Sequence, residues 1–349
     1  MDKKFYKYLN DIIWWCPFSK LRHIVREYFK EIEKIERENK EIINYLNVIS
    51  NKIFTENDNI AVIRVSGGFA DQIRIYLIAK SLEKFYNKKI VYDITWYKIY
   101  GTDDNRKNRR FFELKNIFND IEFNLASEEQ IFFAKKINYI DFYFLLENNS
   151  FAQLLESINE KKISYLDGTV LLTMNFIINP KDRTKIDISN VFKKLNYTDL
   201  NISLDKYFLP ILDEKNKEIY NCIISNKNTV VCHTRRTDYI GFTYYVDVKL
   251  DYYQKSFEII KNKVNDKIKI FFFSDDLDWV KENIIPHIEN IYDYKIVDIN
   301  INEKGYFDFY LISKCNYQIS TSGNFCKIAY EFNEFKNKIL ITPENISSL

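Results

Sequence analysis

Asn228 to Gly241 reads NTVVCHTRRTDYIG, and the fold turns on how this stretch is read. The apolar run Thr229, Val230, Val231 and Cys232 has the make-up of a buried strand. It ends in His233, Arg235, Arg236 and Asp238, whose charges share no apolar face, so strand gives way there to loop. An α/β protein places its ligand sites at the carboxyl ends of its parallel strands. Two adjacent guanidiniums at such an end suit a diphosphate, because each planar fork pairs bidentately with phosphate oxygens and stays charged at any working pH. The same arginines could instead pair with Asp238 and Asp247 at a surface.

Working outward, strand-like runs at Thr229 to Cys232, Ile268 to Phe273, Lys295 to Ile299, Tyr317 to Ser320 and Lys338 to Ile341 alternate with helical patterns that start near Asp251, Asp276, Phe307 and Phe325. That alternation predicts a parallel sheet covered by helices. In FFFSDD, Ser274 with Asp275 and Asp276 behind it can cap a helix over Leu277 to Ile285; equally, these acids can accept from ribose hydroxyls or a base amino group. Towards the amino terminus, Ile60 to Val65 reads as a buried strand, Ser66-Gly67-Gly68 as a tight turn, Ile73 to Leu82 as a helix and Lys89 to Ile94 as the next strand. The glycine pair lets backbone approach a ligand closely, although the full dinucleotide fingerprint G-x-G-x-x-G is absent. A polar loop from Lys98 to Arg110 follows, and the region up to Lys215 is apolar and aromatic with poor periodicity. The fold class expected is α/β, with two Rossmann-like domains and a cleft between them. The expected boundaries are 1–53 for a helical extension, 54–215 for an acceptor-side domain and 216–349 for a donor domain.

Composition narrows the function. The 349 residues are 46% hydrophobic and 17% aromatic, with 51 Lys and Arg against 49 Asp and Glu, a net charge of +2. This balance excludes the concentrated basic stripe of a dedicated nucleic-acid binder, so an anionic ligand must be met locally. Five scattered cysteines fit a reducing compartment better than a disulfide framework, which predicts a cytoplasmic protein. No apolar run reaches the ~18 residues that span a bilayer. Three widely separated histidines offer no zinc-type cluster.

The amino-terminal segment is patterned independently. Leu21, Val25, Tyr28, Ile32, Ile35, Asn39, Ile42, Leu46 and Ile49 step by four and three, a heptad seam over roughly four repeats. Ile24, Phe29, Ile43 and Tyr45 widen the stripe, so the helix could equally lie on its own globular domain. If it self-associates through 21–49, the isoleucines of the seam and the approach of Glu31 to Glu36 disfavour a parallel pair and favour an antiparallel dimer or a higher oligomer. Residues 3–20, with Trp14, Trp15, Phe18 and several lysines, could seat at the inner face of a membrane or pack in a core.

Four motifs in order, GGFADQ (Gly67 to Gln72), HTRRTDY (His233 to Tyr239), FSDDLDW (Phe273 to Trp279) and DFYLISKC (Asp308 to Cys315), resemble the inverting GDP-fucose-dependent fucosyltransferases, whose two-domain fold is described as GT-B. The α-1,2 branch is similar at Gly-Gly-x-Gly-Asn-Gln, His-x-Arg-Arg-Gly-Asp-Tyr and Phe-Ser-Asp-Asp; Thr237 and the segment STSGNFCKIAYEF look more like the α-1,6 branch. The resemblance implies fucosyl transfer to a glycan hydroxyl. It implies Arg235 as the cation for the leaving diphosphate, with Arg236 and the amides of Ser322, Gly323 and Asn324 assisting. His233 would meet the ribose or phosphate and Asp308 the guanine ring, while Asp275 would accept from a ribose hydroxyl or a base amino group of the donor. It implies no cofactor and no metal. Where the α-1,6 branch places a glutamate, this chain has Thr243, so Asp71 is the preferred base and Asp247 the second candidate. Transfer from another GDP-sugar, and a non-catalytic GDP-sugar-binding scaffold, are the alternatives. The acceptor implied is an oligosaccharide or lipid-linked surface glycan.

Overall fold

The computed structural model describes residues 19–55, 57–101, 109–118, 122–140, 158–168, 203–237, 240, 248–300, 304–321 and 323–348. The chain divides into two compact units, Met1–Asp58 and Asn59–Leu349. The first contains one long helix, α1 (Ser19–Ile53). Its seam positions Tyr28, Ile35 and Ile42 are 70%, 49% and 54% exposed, so the stripe read from the heptad pattern is present and open to solvent along that line. Residues 3–18 lie outside the described residues, and with them the membrane-seating segment. No described helix is long and apolar enough to cross a membrane.

The second unit holds two parallel sheets. In the first, β1 (Ile60–Arg64) is followed by α2 (Phe69–Tyr86) and β2 (Lys89–Asp93). The short helices α3 (Thr95–Ile99) and α4 (Leu114–Ile117), α5 (Glu128–Ile137), β3 (Tyr139–Ile140) and β4 (Ile163–Leu166) complete it. Its order is β2-β1-β4-β3, with Arg64 opposite Asp93 and Ile63 opposite Leu166. Helices α6 (Leu204–Phe208) and α7 (Glu214–Ile224) lead into the second sheet, made of β5 (Thr229–Thr234), α8 (Leu250–Val264), β6 (Lys269–Ser274), α9 (Leu277–Asn283), β7 (Asp293–Ile296), α10 (Gly305–Lys314), β8 (Tyr317–Ser320), α11 (Phe325–Glu331) and β9 (Ile339–Ile341).

The second sheet is ordered β7-β6-β5-β8-β9. The chain therefore winds outward from β5 in one direction and then, from β8, in the other, which is the doubly wound arrangement of a Rossmann-like unit. Its central strands alternate their burial between two layers. Val231, Phe271 and Phe273 enter one core with α10, while Val230, Cys232, Ile270 and Phe272 enter another with Tyr253, Phe257 and Ile260 of α8. Two-sided burial accounts for the continuous apolar runs.

Two local readings are corrected. The strand expected over Lys295 to Ile299 is Asp293–Ile296. The helix expected over Leu277 to Ile285 ends at Asn283, and its cap is Asp276, which accepts from Trp279 N at 3.2 Å. Ser274 cannot cap it, because it still belongs to the strand and donates to the Thr234 carbonyl at 2.7 Å.

The first core is shared by both sheets. It runs from Ala61 and Ile63 of β1 through α2 to Phe309, Tyr310 and Leu311 of α10 and to Val231 of β5. Phe69, the first residue of α2, has its ring 5.2 Å from that of Phe309, 6.1 Å from Tyr306 and 6.4 Å from Phe208. This aromatic cluster joins the start of α2 to the second sheet.

Candidate active site

The strand order changes direction between β5 and β8, the point at whose carboxyl ends a doubly wound sheet carries its ligand site. The loops after these two strands are tied at their roots. Thr321 N donates to the His233 carbonyl at 3.2 Å, and Arg235 N donates to Thr321 Oγ1 at 2.9 Å. His233 is buried on β5 with its ring stacked on Phe325 at 5.5 Å, and its Nδ1 has no hydrogen-bond partner among the described residues. Burial, aided by the charge of Arg235, pushes its pKa down to about 4, so the imidazole is neutral at neutral pH.

Asp275, at the end of β6, organises the arginine loop. Its Oδ1 accepts from Arg236 N at 2.8 Å, and its Oδ2 accepts from Thr237 N at 3.1 Å and Thr237 Oγ1 at 2.6 Å. The Arg235 Nε lies 3.3 Å from the same Oδ2. A carboxylate engaged by four donors from residues 235–237 is a template for the loop. Arg236 is clamped as well, with its guanidinium 3.9 Å from the Trp279 ring centre and its Nε 3.4 Å from Asp276 Oδ2. Both arginines thus have carboxylate partners, Asp275 and Asp276, supplied by the neighbouring strand's end.

On the first sheet the Gly-Gly turn follows β1. Gly67 has φ +81°, which only glycine adopts without strain, and a Cβ built there would stand 2.7 Å from Asp71 Oδ2. Tyr97 donates its hydroxyl proton to the Gly67 carbonyl at 3.2 Å. Gly68 is the N-cap of α2. Asp71, in the first turn, accepts from the Gly68 N–H, the acid-to-cap bond of a capping box. The carboxyl of Asp71 is partly buried, and that burial raises its pKa against the opposing pull of Arg74, the Gly68 N–H, Arg110 and Arg235. The charge of Arg235 from the second sheet therefore reaches the base candidate of the first.

Asp308, in the first turn of α10, accepts from Asn300 Nδ2 at 2.7 Å. Burial raises its pKa to about 7, opposed by that bond. A cavity of about 350 Å³ is lined by Asp213, Glu214, Lys215, Asn216, Ile299 and Lys304, and its Asn216 is linked to Asp308 through Asn300. Gly323, at φ +102°, and Asn324, the N-cap of α11, lie next to Phe325 and hence near His233. Asp247, Asp238, Thr243 and Ser322 are outside the described residues. Among the described residues no three His, Cys, Asp or Glu side chains cluster as metal ligands. Thr321 is a part of the site that was not singled out from sequence, whereas Trp279 closes the FSDDLDW motif. Arg110 belongs to the polar loop already noted, and Thr321 to the STSG segment.

Comparison with known proteins completes the picture. The family model described as glycosyl transferase family 11 matches residues 200–348. That span contains β5 with its arginine loop, Asp275, Asp308 and the α11 start, three of the four motifs; GGFADQ lies upstream of it. The O-antigen biosynthesis glycosyltransferase WbnK of Escherichia coli is 26% identical over 80% of this chain and 92% of its own. The alpha-1,2-colitosyltransferase of Escherichia coli is 25% identical over 76% and 85%. Among solved structures, fucosyltransferase NodZ from Bradyrhizobium aligns over 78% of this chain and 92% of that chain, at 14% identity and a TM-score of 0.45. The family 11 match and the two glycosyltransferase relatives agree with the resemblance read from the motifs, and they support glycosyl transfer as the activity class.

Proposed function

We propose that this chain moves L-fucose from GDP-β-L-fucose, with inversion and without a metal, to a hydroxyl of a bacterial surface glycan, α-1,2 to galactose. The observation that carries the reading is the arginine loop at the end of β5, where Asp275 holds residues 235–237 and Arg235 stands two residues from buried His233. In the reaction the acceptor oxygen attacks the anomeric carbon and gives its proton to Asp71. The bond from that carbon to the diphosphate breaks, and its electron pair leaves with GDP. Charge then gathers on the diphosphate, where a fixed guanidinium stabilises it most. Arg235 has that role, with the amides of Gly323 and Asn324 beside it. Neutral His233 offers its bare Nδ1 to ribose or phosphate. A raised carboxyl at Asp71 is the better base, since proton transfer improves as pKa approaches the working pH.

In this reading residues 54–215 bind the acceptor and 216–349 the donor, the enzyme works at the cytoplasmic side of the membrane, and chains associate through 21–49. Transfer of a different sugar from GDP is the second reading, favoured by the similarity to an alpha-1,2-colitosyltransferase. The test is thermal shift with GDP, GDP-fucose and GDP-mannose, followed by transfer to galactose-ended acceptors. GDP should stabilise the fold, and Arg235→Ala should weaken binding by about 1.5–3 kcal/mol, the worth of a charge-assisted pair. Equal GDP affinity in the variant refutes the role of Arg235.

A further inference from the structure

From Asn216, in the lining of the cavity, a hydrogen-bond network that the reaction itself does not call for runs to Asp308. Asn216, buried on α7, donates through Nδ2 to Asn300 Oδ1 at 2.9 Å and to Asp213 Oδ1 at 2.9 Å. Asn300, 84 residues away in the loop after β7, donates back to Asn216 Oδ1 at 2.8 Å and onward to Asp308 Oδ1 at 2.7 Å. The two amides are thus interlocked head to tail, and each amide oxygen and nitrogen has a partner within this network. Amides engaged in this way have little capacity left for a ligand, but they fix what they touch. Asp308 Oδ1 is held, while Oδ2 has no hydrogen-bond partner among the described residues.

We infer that Asn216 and Asn300 are positioning residues that hold the Asp308 carboxylate for the donor edge of a guanine ring, and so set which nucleotide the site accepts. The inference rests on the reading of the chain as a GDP-sugar transferase. Guanine presents two donors side by side, the ring N1–H and the 2-amino group. Hypoxanthine keeps only the ring donor, and adenine presents an acceptor at N1. A carboxylate with one oxygen pinned discriminates among these by direction, and a swivelling one does not. Hydrogen bonds to a charged, partly buried group contribute enough to separate the bases by about tenfold or more.

The experiment is calorimetric titration of the full chain with GDP, IDP and ADP, for wild type, Asn300→Ala, Asn216→Ala and Arg235→Ala, with melting temperatures as a check on folding. Wild type should prefer GDP over IDP by about tenfold or more. Both asparagine variants should collapse that ratio towards one, with IDP affinity little changed. Arg235→Ala should weaken all three nucleotides alike and leave the ratio intact. A preserved GDP-to-IDP ratio in folded Asn300→Ala and Asn216→Ala overturns the positioning role while leaving the GDP-sugar reading standing. Wild type with no affinity for GDP overturns both.

Discussion

Replacing Asp71 by Asn tests the centre of the mechanism, because the amide keeps the shape and the oxygen that accepts from the Gly68 N–H but cannot take a proton. A positioned general base contributes about 10²–10⁴ in rate, so turnover should fall by that factor. GDP affinity should hold or improve, since a negative charge leaves the neighbourhood of Arg235 and of the bound diphosphate. Stability should fall modestly. Arg74 is only 1% exposed and the charge of Asp71 favours its ionised form; breaking a fully buried pair on one side costs about 3–5 kcal/mol. Asp71 is only partly buried, which reduces the expected loss to about 1–3 kcal/mol, or a few degrees in Tm. Steady-state fucosyl transfer, GDP calorimetry and thermal melts on one preparation separate the three effects. Turnover within about threefold of wild type would show that the proton goes elsewhere, with Asp247 the next residue to replace.

Asp308 gives a pH signature. Its carboxyl, raised to about 7 by burial, must be ionised to accept from guanine, so GDP affinity should fall about tenfold per pH unit below 7 and level off above it. Asp308→Asn should remove that slope, and a profile identical to wild type would sink the assignment. For the unliganded fold the sign is opposite: the unfolded carboxyl ionises from about pH 4, so this residue's contribution to stability is lost as pH rises towards 7. EDTA should leave transfer intact; complete loss rescued by Mn²⁺ would mean that a divalent ion shares the work given to Arg235. Removing residues 1–53 should yield a monomer that still binds GDP, and sedimentation of the full chain as a monomer at micromolar concentration would refute association through α1.

Much of the second sheet is legible because two-sided burial writes itself as apolar runs, as in FFF at Phe271 to Phe273, each ended by charge. The glycine turn was equally plain, since Gly67 adopts a backbone only glycine tolerates. The first sheet's later strands were not, because β3 has two residues and β4 four, too few to show a period. The sequence points to Asp275 as a donor-side residue. Its use as the template for residues 235–237 depends on a register that sets Thr234 opposite Ser274, which no local pattern reveals. The same holds for Asn216 and Asn300. Nothing in either neighbourhood marks an amide pair 84 residues apart, because such a bond belongs to the topology of the sheet and not to any segment of it.

The ring cluster around Phe69 has a mechanical consequence. Swinging the two sheets apart would bring Phe69, Phe208, Tyr306 and Phe309 towards water, at about 1.5–3 kcal/mol for each large side chain fully exposed. Opening would therefore carry a substantial cost, and the expected outcome is that the two sheets move as a single body. In the proposed mechanism the alignment of base and cation would then be set when the protein folds rather than assembled anew in each cycle. A substitution that loosens these rings should then register first as a fall in catalytic rate, while spectroscopic measures of folding remain unchanged.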